Sequence, residues 1–415
     1  MAASTFQSFD FALKERYTPE KVEDLTLKEN VFLAHVKKNE QFSGDALNVP
    51  IIIANPQGIA GSSHAVAQTN STNIGGAKFQ LTVGSYQGSV SIGDKVIEAS
   101  RGQEGAFLRN QITEVDGLYN QMAENIASYC YSNGGNSIGV IGTLNTNSIV
   151  LSDPSQIVNF EVGMQCVFSA NDGSGTGHAL RASGANALVT AVDRETGTIT
   201  FTTGELAAVT SLAAADYIFR EGDFIGNTGT TIFTGLGGFI AATNSPAALY
   251  GLTRTSDPQR LAGCRVPSSD LTGRSIDERL QRLGVYMTGR YKGPGADAVY
   301  LNPEDWQDLH NALGNRVVIK NDEHNVRWGF DGIQMVMGGR VVMVYGDRHC
   351  PKGVAFALLR KTWTMHSMKK LIHPVGGDGL ASLRASSTND YEHRLVSYPA
   401  LCTNAPGYNG RVSLT

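Results

Sequence analysis

The pattern of apolar and polar positions predicts two long strands in the first quarter of the chain. Every second residue is apolar in the runs ALNVPIII and KFQLTVGS, which is the period of a strand with one buried face. A segment of mostly small and polar residues, GIAGSSHAVAQTNSTNIGG, separates the two runs. We expect an extended β-hairpin, which is not stable alone in water and needs a partner surface. The apolar positions are Leu47, Val49, Ile51 and Ile53 in the first run and Phe79, Leu81 and Val83 in the second.

Helical periodicity appears before and after this hairpin. TLKENVFLAHVKKN predicts a short amphipathic helix. Residues 102–133 carry an apolar stripe that steps alternately by four and three residues, which predicts one long helix ended by the glycines of SNGG. We expect this helix to be a spine that packs on the core. The stripe consists of Leu108, Ile112, Val115, Tyr119, Met122, Ile126 and Tyr129.

The middle of the chain changes to short alternating runs, SIVLSD, MQCVFSA, ALVTAVD, TITFTT and DYIFREGD. They predict a small all-β module, a barrel or a sandwich. No lysine occurs between Lys95 and Lys292, and three arginines face nine carboxylates from Gly134 to Asp223. The module therefore has an acidic, well-solvated surface. The arginines are Arg181, Arg194 and Arg220.

The remainder mixes helices and strands. Ile276, Leu280, Leu283 and Met287 share one helical face. ADAVYLNPEDWQDLHNALGN predicts a strand and then a helix that Asn302 caps and a glycine ends. Three strands are expected in GRVVMVYGD, GVAFALLRK and TWTMHSMKK.

Composition excludes several classes of function. The charged fraction is 17% and the formal net charge is -4, so the net charge gives the chain no electrostatic attraction to nucleic acid. The N-terminal residues contain no signal-peptide core, and no apolar run reaches membrane-span length, so we expect a soluble chain made in the cytosol. The five cysteines form no C-x-x-C pair and are expected to be buried free thiols in a reducing compartment: Cys130, Cys166, Cys264, Cys350 and Cys402.

Ser137 is the one candidate nucleophile, because GNSIG fits G-x-S-x-G. A nucleophile elbow needs a strand arriving and a helix leaving, whereas here a helix arrives and a strand leaves. We therefore interpret Ser137 as a hinge residue where the β-module is inserted. A secreted β-rich hydrolase that uses Ser137 is the alternative from another class of protein.

Other polar clusters carry no stronger signal. NDGSGTGH, residues 171–178, lacks the spacing of a phosphate or calcium loop and favours a flexible hairpin loop. Asp347, His349 and Cys350 favour a turn over a metal site. His366 and His373 lie too far apart on an extended chain to form a pair, and Arg101 and Lys369-Lys370 are too sparse for a nucleic-acid track. We assign no catalytic, cofactor-binding or metal residue, and expect no enzyme activity.

The order of these parts resembles the major capsid protein of tailed bacteriophages, with the Hong Kong 97-type fold. The resemblance covers essentially the whole chain and rests on architecture and on phrases such as TLKENVFLAHVKKNEQFSGDALNVPI, AVYLNPEDWQDL, VTAVDRETGTITF and ADYIFREGD. It implies an α+β fold with an inserted all-β domain. The implied parts are an N-terminal arm and short helix (1–40), an E-loop hairpin with flanking strands (41–100), a P-domain spine helix (101–134), the inserted β-barrel or sandwich (135–225), an A-domain (226–338), and return strands with the C-terminus (339–415).

The resemblance also implies a shell subunit of the virion, assembled in the host cytoplasm into hexamers and pentamers around double-stranded DNA. The polar arm and the hairpin would be ordered by neighbouring subunits, and the acidic module would face outward. Portal and decoration proteins are implied partners, and no membrane or cofactor is. An encapsulin-like compartment shell shares the fold and is the structural alternative.

Two features of that family are not assigned to this sequence. Some relatives crosslink an E-loop lysine to a neighbour's asparagine, but here only Lys78 lies in the hairpin, and no Asn/Glu partner pair aligns with it. The segment before the first helix is also short for a scaffolding region, so a separate scaffolding protein is expected.

Overall fold

The computed structural model describes residues 30–93, 110–175, 177–224, 232–243, 246–291, 293–314, 318–319, 332–375, 383–384 and 390–415. The N-terminal arm as far as residue 29, Arg101 and the first residues of the expected spine helix lie outside these ranges. In chain order, the helices are α1 (Val31–His35), α2 (His64–Thr69), α3 (Asn110–Tyr129), α4 (Glu205–Ala208), α5 (Leu236–Phe239), α6 (Pro258–Ala262), α7 (Ile276–Val285) and α8 (Pro303–Leu313).

The first strands build the hairpin and its support. β2 and β3 form a two-stranded antiparallel sheet, and β4 pairs with β20 (Tyr391–Ser397) near the C-terminus. β1 pairs in parallel with β17 (Trp363–Ser367), so the segment after α1 joins the C-terminal part of the chain. These strands are β1 (Lys37–Asn39), β2 (Leu47–Ala54), β3 (Gly75–Leu81) and β4 (Tyr86–Ile92).

A closed six-stranded barrel follows α3, in the strand order β10-β5-β6-β9-β8-β7. Its interior is filled by large apolar side chains such as Phe160, Phe168 and Phe201, all almost fully buried. Of the two expected forms, barrel and sandwich, the barrel is therefore correct. Its strands are β5 (Gly139–Leu144), β6 (Ser148–Leu151), β7 (Gln165–Ser169), β8 (Ala187–Asp193), β9 (Thr198–Phe201) and β10 (Tyr217–Arg220).

A seven-stranded mixed sheet forms the second core, in the order β11-β22-β16-β12-β15-β14-β13. Helices α7 and α8 cover it with Leu280, Leu283 and Leu309, whose side chains are fully buried. Asn302 caps α8 as expected, accepting from the Glu304 amide at 3.0 Å. The strands of this sheet are β11 (Cys264–Arg265), β12 (Ala298–Leu301), β13 (Val318–Ile319), β14 (Ile333–Met337), β15 (Arg340–Gly346), β16 (Val354–Leu358) and β22 (Gly410–Ser413).

The remaining strands complete the small sheets around the hairpin base. β17 pairs with both β1 and β21, and β20 lies between β18, β19 and β4. All five cysteines are buried and free, as the sequence predicts. These last strands are β17 (Trp363–Ser367), β18 (His373–Pro374), β19 (Leu383–Arg384), β20 (Tyr391–Ser397) and β21 (Pro399–Thr403).

Three details differ from the sequence prediction. Helix α3 ends at Tyr129 and not at residue 133, because the chain turns there and the Cys130 carbonyl accepts from the Leu236 amide at 2.7 Å. Tyr119 is 47% exposed although it lies on the predicted stripe, whereas the later stripe residues Met122 and Ile126 are buried and β4 packs on that part of the helix. The expected small-residue tip of the hairpin contains α2, which Ser63 caps.

Candidate assembly surface and the joint that supports it

The hairpin exposes large apolar side chains away from its base. Ile52, Ile59 and Ile74 are 68%, 78% and 63% exposed, and Val66 on α2 is 44% exposed. Within the described residues, β2 and β3 pair only with each other. Each strand therefore keeps one outer edge that no other described strand covers, the kind of edge that pairs with another chain. Exposed isoleucines beside such edges indicate a contact surface.

The base of the hairpin, in contrast, is firmly packed. Phe79 lies edge-on against Phe239, with ring centroids 5.5 Å apart. The Gln80 amide donates to the Tyr250 carbonyl at 3.1 Å, and the Arg260 guanidinium donates to the Ile53 carbonyl. Phe79 and Gln80 lie near the base of the β2–β3 ladder, whereas Ile53 lies at its far end beside the Ala54–Gly75 pair. Contacts with the rest of the chain therefore extend along the whole ladder, and the exposed Ile59 and Val66 lie beyond its end.

A buried polar network connects the barrel to α3 and β4. Arg220, at the end of β10, donates to the Tyr86 hydroxyl at 2.6 Å and to Asn125 Oδ1 at 2.8 Å. Asn125 Nδ2 donates to the same Tyr86 oxygen at 2.7 Å, and the Tyr129 hydroxyl donates to Asp223. We name Tyr86, Asn125, Tyr129, Arg220 and Asp223 the barrel joint.

The charges of the barrel joint are removed from water. Burial raises the pKa of Asp223, while the nearby Arg220 guanidinium opposes that change. Burial and the Asp223 carboxylate together raise the pKa of Tyr129 well above its usual range, so its hydroxyl remains a donor. Buried charges of this kind are stable only as a complete set, because removal of one group leaves the remaining charge buried without a partner.

A second network attaches the segment around α1 to the other side of α3. Glu124 on α3 accepts from Arg348, and its other oxygen lies 3.4 Å from His349 Nε2. The same ring nitrogen lies 3.0 Å from Asn30 Oδ1. Asp347 accepts from the Phe32 amide at 3.1 Å and from the Tyr131 hydroxyl at 2.8 Å. Helix α3 is therefore held on two sides by polar contacts from distant parts of the chain.

The junction at Ser137 is tightly packed, so small residues are required where the chain leaves α3 and enters the barrel. A Cβ at Gly135 would lie 1.9 Å from the Asp172 carbonyl oxygen, so only glycine fits there. Asn136 is fully buried with φ of 64° and donates to the Asp223 carbonyl at 3.2 Å. The order of helix before and strand after Ser137 is confirmed. Within the described chain, the Ser137 hydroxyl makes no hydrogen bond, to a histidine or to anything else.

The other candidate polar residues have structural roles. Asp347, His349 and Cys350 form the turn after β15, where Asp347 and His349 belong to the second network. In loop 171–178, Asp172 accepts from Ser174, and Thr176 lies outside the described residues. Among the residues placed in the structure, no cluster of His, Cys, Asp or Glu could bind a metal ion, and none of their helices is long and apolar enough to span a membrane.

The lysines and distant histidines of the sequence analysis are not brought together either. Lys78 lies exposed on β3, and Lys369-Lys370 lie in an exposed bend. His366 is on β17 and His373 on β18. Sequence reasoning missed the barrel joint. The available signal was Arg220 inside an otherwise apolar strand run, followed three residues later by Asp223, an arrangement that suggests a paired buried charge.

Structure comparison identifies the architecture. A chain of the Cyanophage A-1(L) capsid asymmetric unit superimposes on 97% of this chain and 96% of its own, with a TM-score of 0.51 and 11% sequence identity. This chain has the α+β fold of a phage capsid protein. Neither the comparison with protein-family models nor that with curated proteins finds a match.

Two further solved structures are similar over nearly their full length. The capsid chain of a native GTA particle covers 96% of this chain and 95% of its own, with 8% identity and a TM-score of 0.48. The holo-SrpI encapsulin of Synechococcus elongatus PCC 7942 covers 100% and 96%, with 8% identity and a TM-score of 0.41. We base the fold assignment on the cyanophage chain, because both other scores lie below 0.5. The expected capsid fold is confirmed at this level, and the domain boundaries stay predictions.

Proposed function

We propose that this chain is a major capsid protein whose copies assemble into the hexamers and pentamers of an icosahedral phage head around double-stranded DNA. The observation that carries the proposal is the hairpin, whose strands pair only with each other in the described chain and whose tip exposes Ile59 and Ile74. A two-stranded ribbon of this kind gains its stability from a partner. The capsid fold over nearly the whole chain supports the choice of other copies as that partner.

The barrel has a place in this function as an outward-facing module. Nine carboxylates and three arginines lie in its sequence range, and one of those arginines, Arg220, is half-buried and bonded within the barrel joint. The remaining surface is acidic and suits solvent better than the packaged DNA, because like charges repel. We propose a structural role without catalysis, with the virion as location. A scaffolding protein, a portal and decoration proteins are the proposed partners.

Gel filtration and analytical ultracentrifugation of the purified chain test this function. A shell subunit elutes as capsomers or as megadalton particles, whereas a hydrolase that uses Ser137 elutes as a monomer and loses esterase activity in Ser137→Ala. Closed particles that enclose an enzyme and no DNA would replace the phage head by an encapsulin-like compartment.

A further inference from the structure

A cavity of about 300 Å³ lies where the end of α3, the barrel and the seven-stranded sheet meet. Tyr131 and Asn133 line it after α3, Ser137 and Tyr217 line it from the barrel, and Arg411 lines it from β22. A water molecule occupies about 30 Å³ in the liquid. The cavity therefore has room for a small polyatomic ion together with some of its water.

Arg411 is the charged group of this cavity that the described chain leaves without a counter-ion. Its guanidinium lies 5.7 Å from the centre of the Phe356 ring, and it makes no hydrogen bond or ion pair with any described residue. Burial lowers the pKa of Arg411, which reports the cost of keeping its charge away from water. Arginine nevertheless stays protonated in proteins, so the site contains a positive charge that forms no ion pair with a described residue.

The uncharged groups on the walls add hydrogen-bond donors. The hydroxyls of Ser137 and Tyr217 form no hydrogen bond with other described residues. The carboxylate on the wall is already occupied, because Asp172 accepts from Asn133 Nδ2 at 2.7 Å and from the Ser174 hydroxyl at 2.8 Å. The Arg411 guanidinium and these two hydroxyls are donors on the cavity wall, a set that matches an acceptor with several oxygens.

We propose that this cavity binds a small oxyanion, either phosphate or a carboxylate, on Arg411, Ser137 and Tyr217. A guanidinium presents a planar fork of donors that fits both kinds of anion in a bidentate manner. The bound anion would neutralise Arg411 and connect the barrel to the seven-stranded sheet. Ser137 would then be a ligand-binding residue and not a nucleophile.

Isothermal titration calorimetry with inorganic phosphate, and separately with acetate, tests the site at constant ionic strength. We expect saturable binding to the wild type and at least a tenfold loss of affinity in Arg411→Gln, because a charge-assisted bond is removed. Arg194→Gln is the matched control, since Arg194 lies on the barrel surface outside the cavity lining. Preference for phosphate indicates a free ion, and preference for acetate indicates an acidic side chain as the natural ligand.

Milder variants keep the test valid if Arg411→Gln does not fold. Tyr217→Phe and Ser137→Ala should each weaken binding two- to fivefold, as expected for loss of one neutral hydrogen bond. Asp172→Asn should tighten binding, because it removes a negative charge from the wall. Absence of saturable binding of both anions to the wild type, or wild-type affinity in all of these variants, would overturn the proposal. Binding is measured on the purified chain in whatever form it assembles, so the outcome is separate from that of the shell function.

Discussion

The barrel joint and the hairpin tip differ in their surroundings, because the joint packs polar groups inside the chain and the tip exposes apolar side chains. In the joint, Asp223 is buried, Arg220 is half-buried, and both form hydrogen bonds or ion contacts with other parts of the chain. At the tip, the side chains of Ile59 and Ile74 are mostly exposed. We therefore expect the joint to determine the stability of the folded chain and, under the proposed function, the tip to determine its contacts with neighbouring copies. Substitutions in the two regions should separate these properties.

Removal of Arg220 should have the largest effect on stability. Arg220→Met leaves Asp223 without its compensating charge and takes donors from Tyr86 and Asn125, so we expect a loss of about 3–5 kcal/mol in unfolding free energy. Urea unfolding of unassembled subunits measures it. Arg194→Met is the control, because Arg194 forms an exposed pair with Glu161 and should change stability by less than about 1 kcal/mol. Equal effects in the two variants would refute the importance of the joint.

A methyl group at Gly135 should be the next most damaging change. Gly135→Ala places a carbon 1.9 Å from the Asp172 carbonyl oxygen, which forces the barrel away from α3 and should cost about 3 kcal/mol. Gly117→Ala is the matched control, since a Cβ there meets nothing within 4 Å and alanine favours the helix by about 0.5–1 kcal/mol. Thermal unfolding should show a lower melting temperature for Gly135→Ala and a higher one for Gly117→Ala than for the wild type. A Gly135→Ala variant as stable as the wild type would contradict this steric account.

The segment around α1 should respond to pH through His35. Burial, followed by the Arg360 charge, lowers the pKa of His35 from 6.5 to about 4 in the folded chain. The unfolded chain therefore binds a proton between these values that the folded chain excludes, so His35 makes stability fall as pH decreases from about 6.5 to about 4. Partial exposure of the ring limits the loss to about 1–2 kcal/mol. Urea unfolding across this range should show a flatter profile in His35→Gln, and identical slopes would contradict the prediction.

A charge at the hairpin tip should change the unfolding free energy of the subunit least and should block assembly. Ile74→Asp changes an exposed side chain, so the unfolding free energy should shift by no more than about 0.5 kcal/mol. In a shell, the same carboxylate would be buried without a partner at the subunit contact, at a cost large enough to block assembly. Val162→Asp on the barrel is the matched control, because Val162 is 64% exposed and Ile74 is 63% exposed.

The sequence predicts the elements better than the contacts between them. Strand alternation located β2 and β3 with Ile51 and Phe79 inward, because each strand has one buried face whose period is visible locally. The barrel joint could not be found in this way, since Tyr86, Asn125 and Arg220 meet only through the tertiary fold. Tyr119 shows the same limit, because its place on the apolar stripe does not reveal that the described chain leaves it exposed.

Negative-stain electron microscopy of the wild type, Ile74→Asp and Val162→Asp, purified side by side, tests the central claim most directly. The account predicts closed icosahedral particles for the wild type and for Val162→Asp, and folded but unassembled subunits or capsomers for Ile74→Asp. A wild-type chain that stays monomeric, or an Ile74→Asp variant that forms the same particles as the wild type, would contradict it.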